Sequence, residues 1–231
     1  MGRILSILIF CILSALCAFF SAKHTNSLIE FRKSKNEELS IKKYDLNSTN
    51  IIMLIGLVLV SGYISFVQYS SNIDNSVSVL ILSTIRLLIC LLVIVAAAIY
   101  DGKLRIIPNY LPFSLIVAKL IFFIAEFFVF DDFLENALSS IVGLAATFIV
   151  LTIANKLSHD GIGAGDIKLL SALGFFAGFS FVVTLSVFSL LACSIISIAL
   201  IGMKKLTMKD SLPFAPFILI GFLIISCLSW I

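Results

Sequence analysis

Two aspartates lie at the ends of apolar segments, where a charged side chain is energetically unfavourable. Asp166 follows the glycine-rich turn 161–165 and opens a long hydrophobic stretch, and Asp101 follows the apolar run 79–100. Isolated charges at the edge of membrane segments are costly, so each one is a hypothesis for a functional site. We predict that the two carboxyls form one site, in which one activates water and the other protonates the tetrahedral intermediate.

The two carboxyls lie at opposite ends of their predicted helices. Asp166 is near a helix N-terminus, where the helix dipole stabilises a negative charge and should lower its pKa. Asp101 is at a helix C-terminus, where the dipole disfavours a negative charge. We therefore expect Asp166 to be the ionised base and Asp101 the protonated partner, in a pair that titrates as a unit. Taken singly, Asp166 could be an ordinary N-cap and Asp101 a solvated loop residue.

Five neighbouring residues are predicted to shape the site. Gly163 and Gly165 allow close approaches ahead of the second aspartate that other residues resist. Pro108 cannot continue a helix from the preceding residues, and Asn109 is the expected N-cap of the helix that follows. Lys168 lies two residues beyond the aspartate and so on another helical face. Its charge either anchors the chain at the membrane interface or tunes the site.

The segments that carry these residues are strongly apolar. Of the 231 residues, 61% are hydrophobic and 13% are charged, which is more apolar surface than a soluble domain of this size can bury. The sequence therefore predicts an all-α polytopic membrane protein with about eight transmembrane helices. These cover 4–22, 51–68, 79–100, 110–130, 137–155, two helices within 169–203 that are split near Gly178, and 212–231.

The basic residues predict the orientation of these helices. All but three of the sixteen lysines and arginines lie in loops that the helix order places on one side, including loop 23–49. Basic loops stay in the cytoplasm, so both termini are predicted outside and both aspartates at the cytoplasmic face. We divide the chain into 1–78, with two N-terminal helices and the basic loop, and 79–231, with a six-helix core.

Three further charges lie within the predicted helices. Arg86 and Glu126 occupy the outer halves of their helices, and either pair with each other or leave Arg86 to snorkel toward the interface. Lys119 lies nearer the middle of the membrane, and the sequence assigns it no partner. None of the five cysteines forms a C-x-x-C pair, so neither a metal site nor a cofactor is predicted. Loop 23–49 mixes both signs of charge, which predicts no nucleic-acid surface.

Several motifs together resemble those of the type IV prepilin peptidases. They are the Tyr-Asp pair ending at Asp101, the Ile-Pro-Asn turn ending at Asn109, and the Gly-x-Gly-Asp-x-Lys segment 163–168. Residues 212–217, followed by Gly221, also look like the proline-containing final helix of that family. The resemblance covers residues 79–231.

This resemblance implies a membrane aspartic endopeptidase of the bacterial inner membrane, with 79–231 as its peptidase core. Asp101 and Asp166 would be the catalytic pair, which cleaves class III signal peptides after a glycine at the cytoplasmic face. The implied partners are prepilin or pseudopilin precursors and the lipid bilayer, and the oligomeric state stays open. Residues 1–50 lack the paired cysteines of many bacterial members, so the resemblance implies a compact form and does not carry methyltransferase activity over.

Two other classes of protein use similar aspartates. An ion- or proton-coupled transporter could bind its ion at Asp101 and Asp166, because acidic residues in membrane helices mark ion pathways. Transporter sites usually lie near the bilayer midplane, whereas these aspartates are predicted at one face. A presenilin-like intramembrane protease also has Tyr-Asp and Gly-x-Gly-Asp motifs. Its two aspartates lie on adjacent helices, whereas two predicted helices intervene here.

Overall fold

The structure is a computed structural model that describes residues 77–130, 132–159, 161–204 and 212–228. The described part of the chain forms six helices and is all-helical, as predicted. The helices are α1 (Val77–Leu104), α2 (Tyr110–Val129), α3 (Phe133–Leu157), α4 (Ala164–Ala177), α5 (Phe179–Gly202) and α6 (Ala215–Leu228). The two helices and the basic loop predicted within 1–78 lie outside the described residues.

Four of these helices contain stretches long and apolar enough to cross a membrane. The stretches are Ile85–Leu104, Tyr110–Val129, Phe133–Leu157 and Phe179–Gly202. Each has at least 20 residues, which matches the length needed for the hydrocarbon core of a bilayer. A shorter apolar helix, Ala215–Ser226, lies within α6. The structure thus agrees with the predicted class of helical membrane protein.

The run 169–203 is broken at a single residue, at the predicted position. Gly178 has φ +96°, and α4 ends immediately before it while α5 begins immediately after it. Residues that carry a side chain rarely adopt this backbone conformation, so glycine allows the chain to change direction between the two helices. The first amide of α5, on Phe179, donates a hydrogen bond to Ser139 Oγ of α3 at 3.1 Å, which satisfies a donor that helix starts leave free.

The short helix α4 is the centre of the packing. Its 14 residues span about 21 Å, and it contacts α1, α2, α3 and α5. A Cβ on Gly174 would lie 2.6 Å from the carbonyl oxygen of Gly143 on α3. The two glycines therefore let the backbones of α3 and α4 meet, as small residues do in membrane helix pairs.

The first described helix is longer than predicted, and this changes the setting of Asp101. Helix α1 continues to Leu104, so Asp101 lies in its last turns rather than in a loop. Arg105 then adopts φ +52° and donates its backbone N–H to the Asp101 carbonyl at 2.9 Å, which closes the helix. The predicted cytoplasmic loop is accordingly shorter at its start. Helix α6 packs against both α1 and α5.

Candidate active site

The carboxyl of Asp101 is buried against the start of the last helix. The residue is only 7% exposed, and its Oδ2 accepts a hydrogen bond from the backbone N–H of Ala215 at 2.9 Å. Ala215 is the first residue of α6. The carboxylate therefore lies at the positive end of the α6 dipole and satisfies one of its free amides, as an anion at a helix N-terminus does.

Asp166 lies in the first turn of α4 but does not cap it. The N-cap position belongs to Gly163, and no side-chain capping hydrogen bond is formed there. A Cβ on Gly163 would come within 2.8 Å of Asp166 Oδ2. The missing side chain at 163 thus makes room for the carboxyl. Asp166 Oδ1 is buried and has no hydrogen-bond partner among the described residues.

Burial outweighs the helix dipole at Asp166. Loss of solvation, followed by the negative charge of Asp101, raises the pKa of Asp166 to about 7. The sequence-based prediction of a lowered pKa is therefore wrong in direction, because the dipole contributes little compared with desolvation of a carboxylate. The effect of Asp101 on Asp166 also places the two carboxyls within electrostatic range of each other.

The two acids differ in what offsets their burial. Burial disfavours the ionised form of both acids, but Asp101 has the Ala215 N–H as a donor. Asp166 Oδ1 has no donor in the described part of the chain. Hydrogen bonds to a carboxylate favour the charged form. The hydrogen bonds therefore favour the charged form at Asp101 more than at Asp166.

The turn between α1 and α2 docks on the start of α4. A Cβ on Gly165 would lie 3.0 Å from the Cβ of Ile107, so glycine lets α4 approach the turn closely. Lys168 Nζ donates a hydrogen bond to Asn109 Oδ1 at 3.0 Å. Asn109 does occupy the N-cap position of α2, but its side chain makes no capping hydrogen bond. The predicted N-cap position is therefore confirmed, but the side chain binds Lys168 rather than a free amide of the helix.

Two residues that sequence reasoning missed hold the backbone around the carboxyls. One is Ala215, which donates to Asp101. The other is Asn155 near the end of α3, whose Oδ1 accepts the backbone N–H of Ile162 at 2.9 Å and so fixes the glycine turn. Because every residue except proline has a backbone N–H, residue type does not reveal which amide donates to the carboxyl. The two prolines flanking Ala215, at 213 and 216, were the available signal, because proline is favoured around helix starts.

A second group of charges lies apart from this site. Lys119 and Glu126, both on α2, are each 1% exposed, and Lys119 Nζ lies 2.8 Å and 2.9 Å from the two Glu126 oxygens. Arg86 Nη1 of α1 lies 3.8 Å from Glu126. The possible Arg86–Glu126 pair is thus confirmed, and Lys119 acquires the partner that the sequence did not assign.

The fold and the site define a helical membrane protein in which two buried carboxyls are brought together at helix ends. The described residues hold no cluster of three or more His, Cys, Asp or Glu side chains that could bind a metal ion. A family model for the type IV leader peptidase family matches residues 87–202, which include both Asp101 and Asp166. The chain belongs to this family, as the motifs predicted.

Two curated relatives agree with this assignment. A prepilin leader peptidase/N-methyltransferase of Bacillus subtilis (strain 168) is 33% identical over 138 residues, which are 58% of this chain and 50% of the relative. A protein of the same name from Dickeya chrysanthemi is 26% identical over 141 residues, 61% of this chain and 49% of the relative. The chain thus matches about half the length of these relatives. No solved structure matches the chain.

Proposed function

We propose that this protein is a membrane aspartic endopeptidase that cleaves the leader from prepilin-like precursors. The observation that carries the proposal is the pairing of Asp101 with Asp166, two residues with different hydrogen-bond environments in a chain of the type IV leader peptidase family. Two carboxyls that share one proton between them supply a base and an acid at the same pH. Peptide hydrolysis needs both.

In the proposed reaction the ionised Asp101 takes a proton from a water molecule. The water oxygen attacks the carbonyl carbon of the scissile bond, while Asp166 gives its proton to the carbonyl oxygen. The tetrahedral intermediate then collapses: Asp166 regains its proton from a hydroxyl, and Asp101 passes its proton to the leaving nitrogen as the C–N bond breaks. Both aspartates return to their starting states, so no other reactant is required.

The pH dependence of this mechanism follows from Asp166. The raised pKa of about 7 leaves Asp166 half protonated near pH 7 and mostly protonated below it. We expect kcat/KM to fall above about pH 7 as this proton is lost, and to fall in acid as Asp101 becomes protonated. Because the pair titrates as a unit, the two pKa values read from the acid and basic sides of the pH–rate profile belong to the pair and not to either residue.

We further propose the membrane arrangement that the basic residues favour. About eight helices cross the bacterial inner membrane, with both termini outside, the two N-terminal helices in 1–78 and a six-helix peptidase core in 79–231. The distribution of lysines and arginines supports a cytoplasmic position for both aspartates. The substrates are then prepilin or pseudopilin precursors that present their leader at that face. The test is a reporter enzyme that is active only outside the cytoplasm, fused within 23–49. Activity of this reporter would refute the orientation.

The proposal covers cleavage and not methylation. The names of the two relatives include N-methyltransferase, whereas the proposal rests on two aspartates that supply an acid and a base. Residues 1–50 also lack paired cysteines. The geometry of the aspartate pair therefore supports the peptidase reaction alone.

The test is co-expression of the full chain with a candidate prepilin, followed by separation of precursor and mature forms. Asp101→Asn and Asp166→Asn should each lower cleavage by about 100-fold or more, since each removes an acid or base. Asp132→Asn is the matched control, because Asp132 is the N-cap of α3, beyond the end of α2, and this variant should cleave normally. Full cleavage by either active-site variant, with the protein inserted at normal levels, would refute the dyad.

A further inference from the structure

Helix α2 packs through a narrow stripe that contains two charged residues. The buried positions 112, 115, 119, 122 and 126 repeat at alternating steps of three and four residues, which is the spacing of a heptad seam. Most of the stripe is apolar, yet it includes Lys119 and Glu126 at equivalent positions two turns apart. The proposed peptidase mechanism uses neither residue.

One of these two charges, Glu126, connects α2 to α1, and Lys119 binds Glu126 within α2. Both carboxylate oxygens of Glu126 accept hydrogen bonds from Lys119, at 2.9 Å and 2.8 Å. Glu126 also lies 3.8 Å from Arg86, the only member of the group on α1. Arg86 is 28% exposed, so it can keep part of its guanidinium in a polar environment while it pairs with the buried carboxylate.

The energetics of such a group favour specificity rather than stability. Burial of an ion pair costs desolvation of both charges, so replacement by apolar residues of similar volume is often neutral or stabilising. Between membrane helices the hydrophobic effect gives no preference among packings, because lipid is as apolar as the helices. A polar residue in a heptad seam, in contrast, fixes the register of the helices that share it. A slide or rotation of α2 against α1 would separate Glu126 from Arg86, whereas Lys119 would move with Glu126 on the same helix.

The register of α2 bears directly on the aspartate site. Helix α2 begins at Tyr110, one residue after the turn that docks on α4. In that turn Ile107 contacts the backbone beside Gly165, and Asn109 binds Lys168. A shift of α2 along α1 would therefore pull the turn away from the helix start that carries the second carboxyl.

We propose that Lys119, Glu126 and Arg86 are positioning residues that fix the register of α2 against α1 and so hold the turn on the start of α4. In this way they set the separation of the two carboxyls, although they lie outside the aspartate site. The catalytic consequence rests on the proposed peptidase function. The structural consequence, the position of Ile107 on Gly165, does not.

The first measurement reports the structure without any cleavage. In the full chain with its native cysteines replaced by serine, Ile107→Cys and Gly165→Cys bring two thiols to a site where an added Cβ at 165 lies 3.0 Å from Cβ of 107. Disulfide partners have Cβ atoms about 3.8 Å apart, so oxidation in membranes should link them. Lys119→Met with Glu126→Leu should lower the initial rate of this oxidation at least threefold.

The second measurement is cleavage by the same charge variants without the added cysteines. Lys119→Met with Glu126→Leu should insert and unfold at a temperature near that of the parent, yet lose about tenfold in kcat with KM nearly unchanged. Lys119→Arg keeps the cation and should keep both kcat and oxidation rate. The single variant Glu126→Leu leaves Lys119 buried without a partner, and should lower the amount of folded protein.

The matched control is Leu120→Met with Phe127→Leu. These residues have the same spacing on α2, but they are 55% and 62% exposed and lie outside the seam. The control should change neither measurement. If the charge-free double variant oxidises as fast as the parent, the register proposal is wrong. If oxidation slows but the parent cleaves no precursor, the register proposal stands and the peptidase proposal fails.

Discussion

The backbone amide of Ala215 donates to the carboxylate of Asp101 across 114 residues of sequence, at 2.9 Å. This one hydrogen bond joins the end of α1 to the start of α6. At the end of its own helix Asp101 meets the negative end of a dipole, but at the start of α6 it meets the positive end of another. The last helix thus offsets the unfavourable position of the carboxylate on α1 and makes Asp101 the better candidate for the ionised base.

Removal of that amide should weaken Asp101 as a base while the helix is retained. Ala215→Pro deletes the N–H at the first position of α6, where proline is well tolerated. We expect the acid limb of the kcat/KM profile to move to higher pH, because the ionised carboxylate loses a donor worth about 1.5–3 kcal/mol for a charged group. Cleavage of a prepilin across pH 4 to 9 measures this shift.

Ala215→Gly is the matched control for that change, since it alters the side chain and keeps the amide. Its acid limb should coincide with that of the parent protein. An unchanged acid limb in Ala215→Pro, with the protein folded, would show that the hydrogen bond does not determine which aspartate is ionised.

The raised pKa of Asp166 also has a consequence for stability. The folded-state pKa of about 7 exceeds the ordinary value of 3.8, so the unfolded chain loses this proton first as pH rises. Ionisation of the buried carboxyl therefore lowers the free energy of unfolding. This loss is absent below about pH 4, grows between pH 4 and 7 and is complete above pH 7. Asp166→Asn should therefore abolish cleavage and yet raise the free energy of unfolding at pH 8 by on the order of 1–3 kcal/mol.

Thermal unfolding of the purified full chain in detergent, at pH 4 and at pH 8, measures this difference. The parent and Asp166→Asn should unfold at similar temperatures at pH 4, and the variant should unfold later at pH 8. A variant that is less stable than the parent at pH 8 would contradict a carboxyl whose charge is penalised by burial.

Gly163 is expected to be required for a steric reason. Alanine at 163 would place its Cβ within 2.8 Å of Asp166 Oδ2, so the carboxyl would have to move from its position near Asp101. We expect Gly163→Ala to lower kcat by about tenfold or more, because small displacements of catalytic groups have large effects on rate. Single-turnover cleavage with excess enzyme measures this effect separately from binding.

A second glycine, next to the other proposed catalytic aspartate, provides the control. Gly102 follows Asp101 in α1, and a Cβ there meets nothing within 4 Å. Gly102→Ala should keep normal kcat and should stabilise the helix slightly, since alanine is the better helix former. If the two alanine variants lose activity equally, the clash with Asp166 is not the reason that glycine occupies 163.

The sequence predicts most of the helices but not the roles of the acids. Long apolar runs and the glycine at 178 located the described helices and the break between α4 and α5. The proposed protonation roles rest on desolvation of Asp166 and on a backbone donor at Ala215, neither of which can be read from residue type or spacing. The same limit applies to Asn109, which looks like an N-cap in sequence. In the folded chain Asn109 holds that position, but its Oδ1 accepts a hydrogen bond from Lys168, 59 residues away, and not from a helix amide.

The hydrogen bond between Lys168 and Asn109 leads to the last prediction. Both side chains are at least partly accessible, and the bond connects the turn before α2 with the first turns of α4. Lys168→Met removes the donor and keeps a long apolar stem. Because one such hydrogen bond contributes about 0.5–1.5 kcal/mol, we expect a two- to tenfold loss of kcat with little change in KM.

Lys168→Arg should retain much of the activity, because the guanidinium can still donate to Asn109 Oδ1. Asn109→Ala should reproduce the loss seen with Lys168→Met, and the double variant should be no worse than either single one, since both changes remove the same bond. The mutant cycle compares the kinetics of the parent, Lys168→Met, Asn109→Ala and the double variant on one precursor. Additive losses in the double variant would mean that Lys168 acts on the site independently of Asn109, for example by contact with the precursor itself.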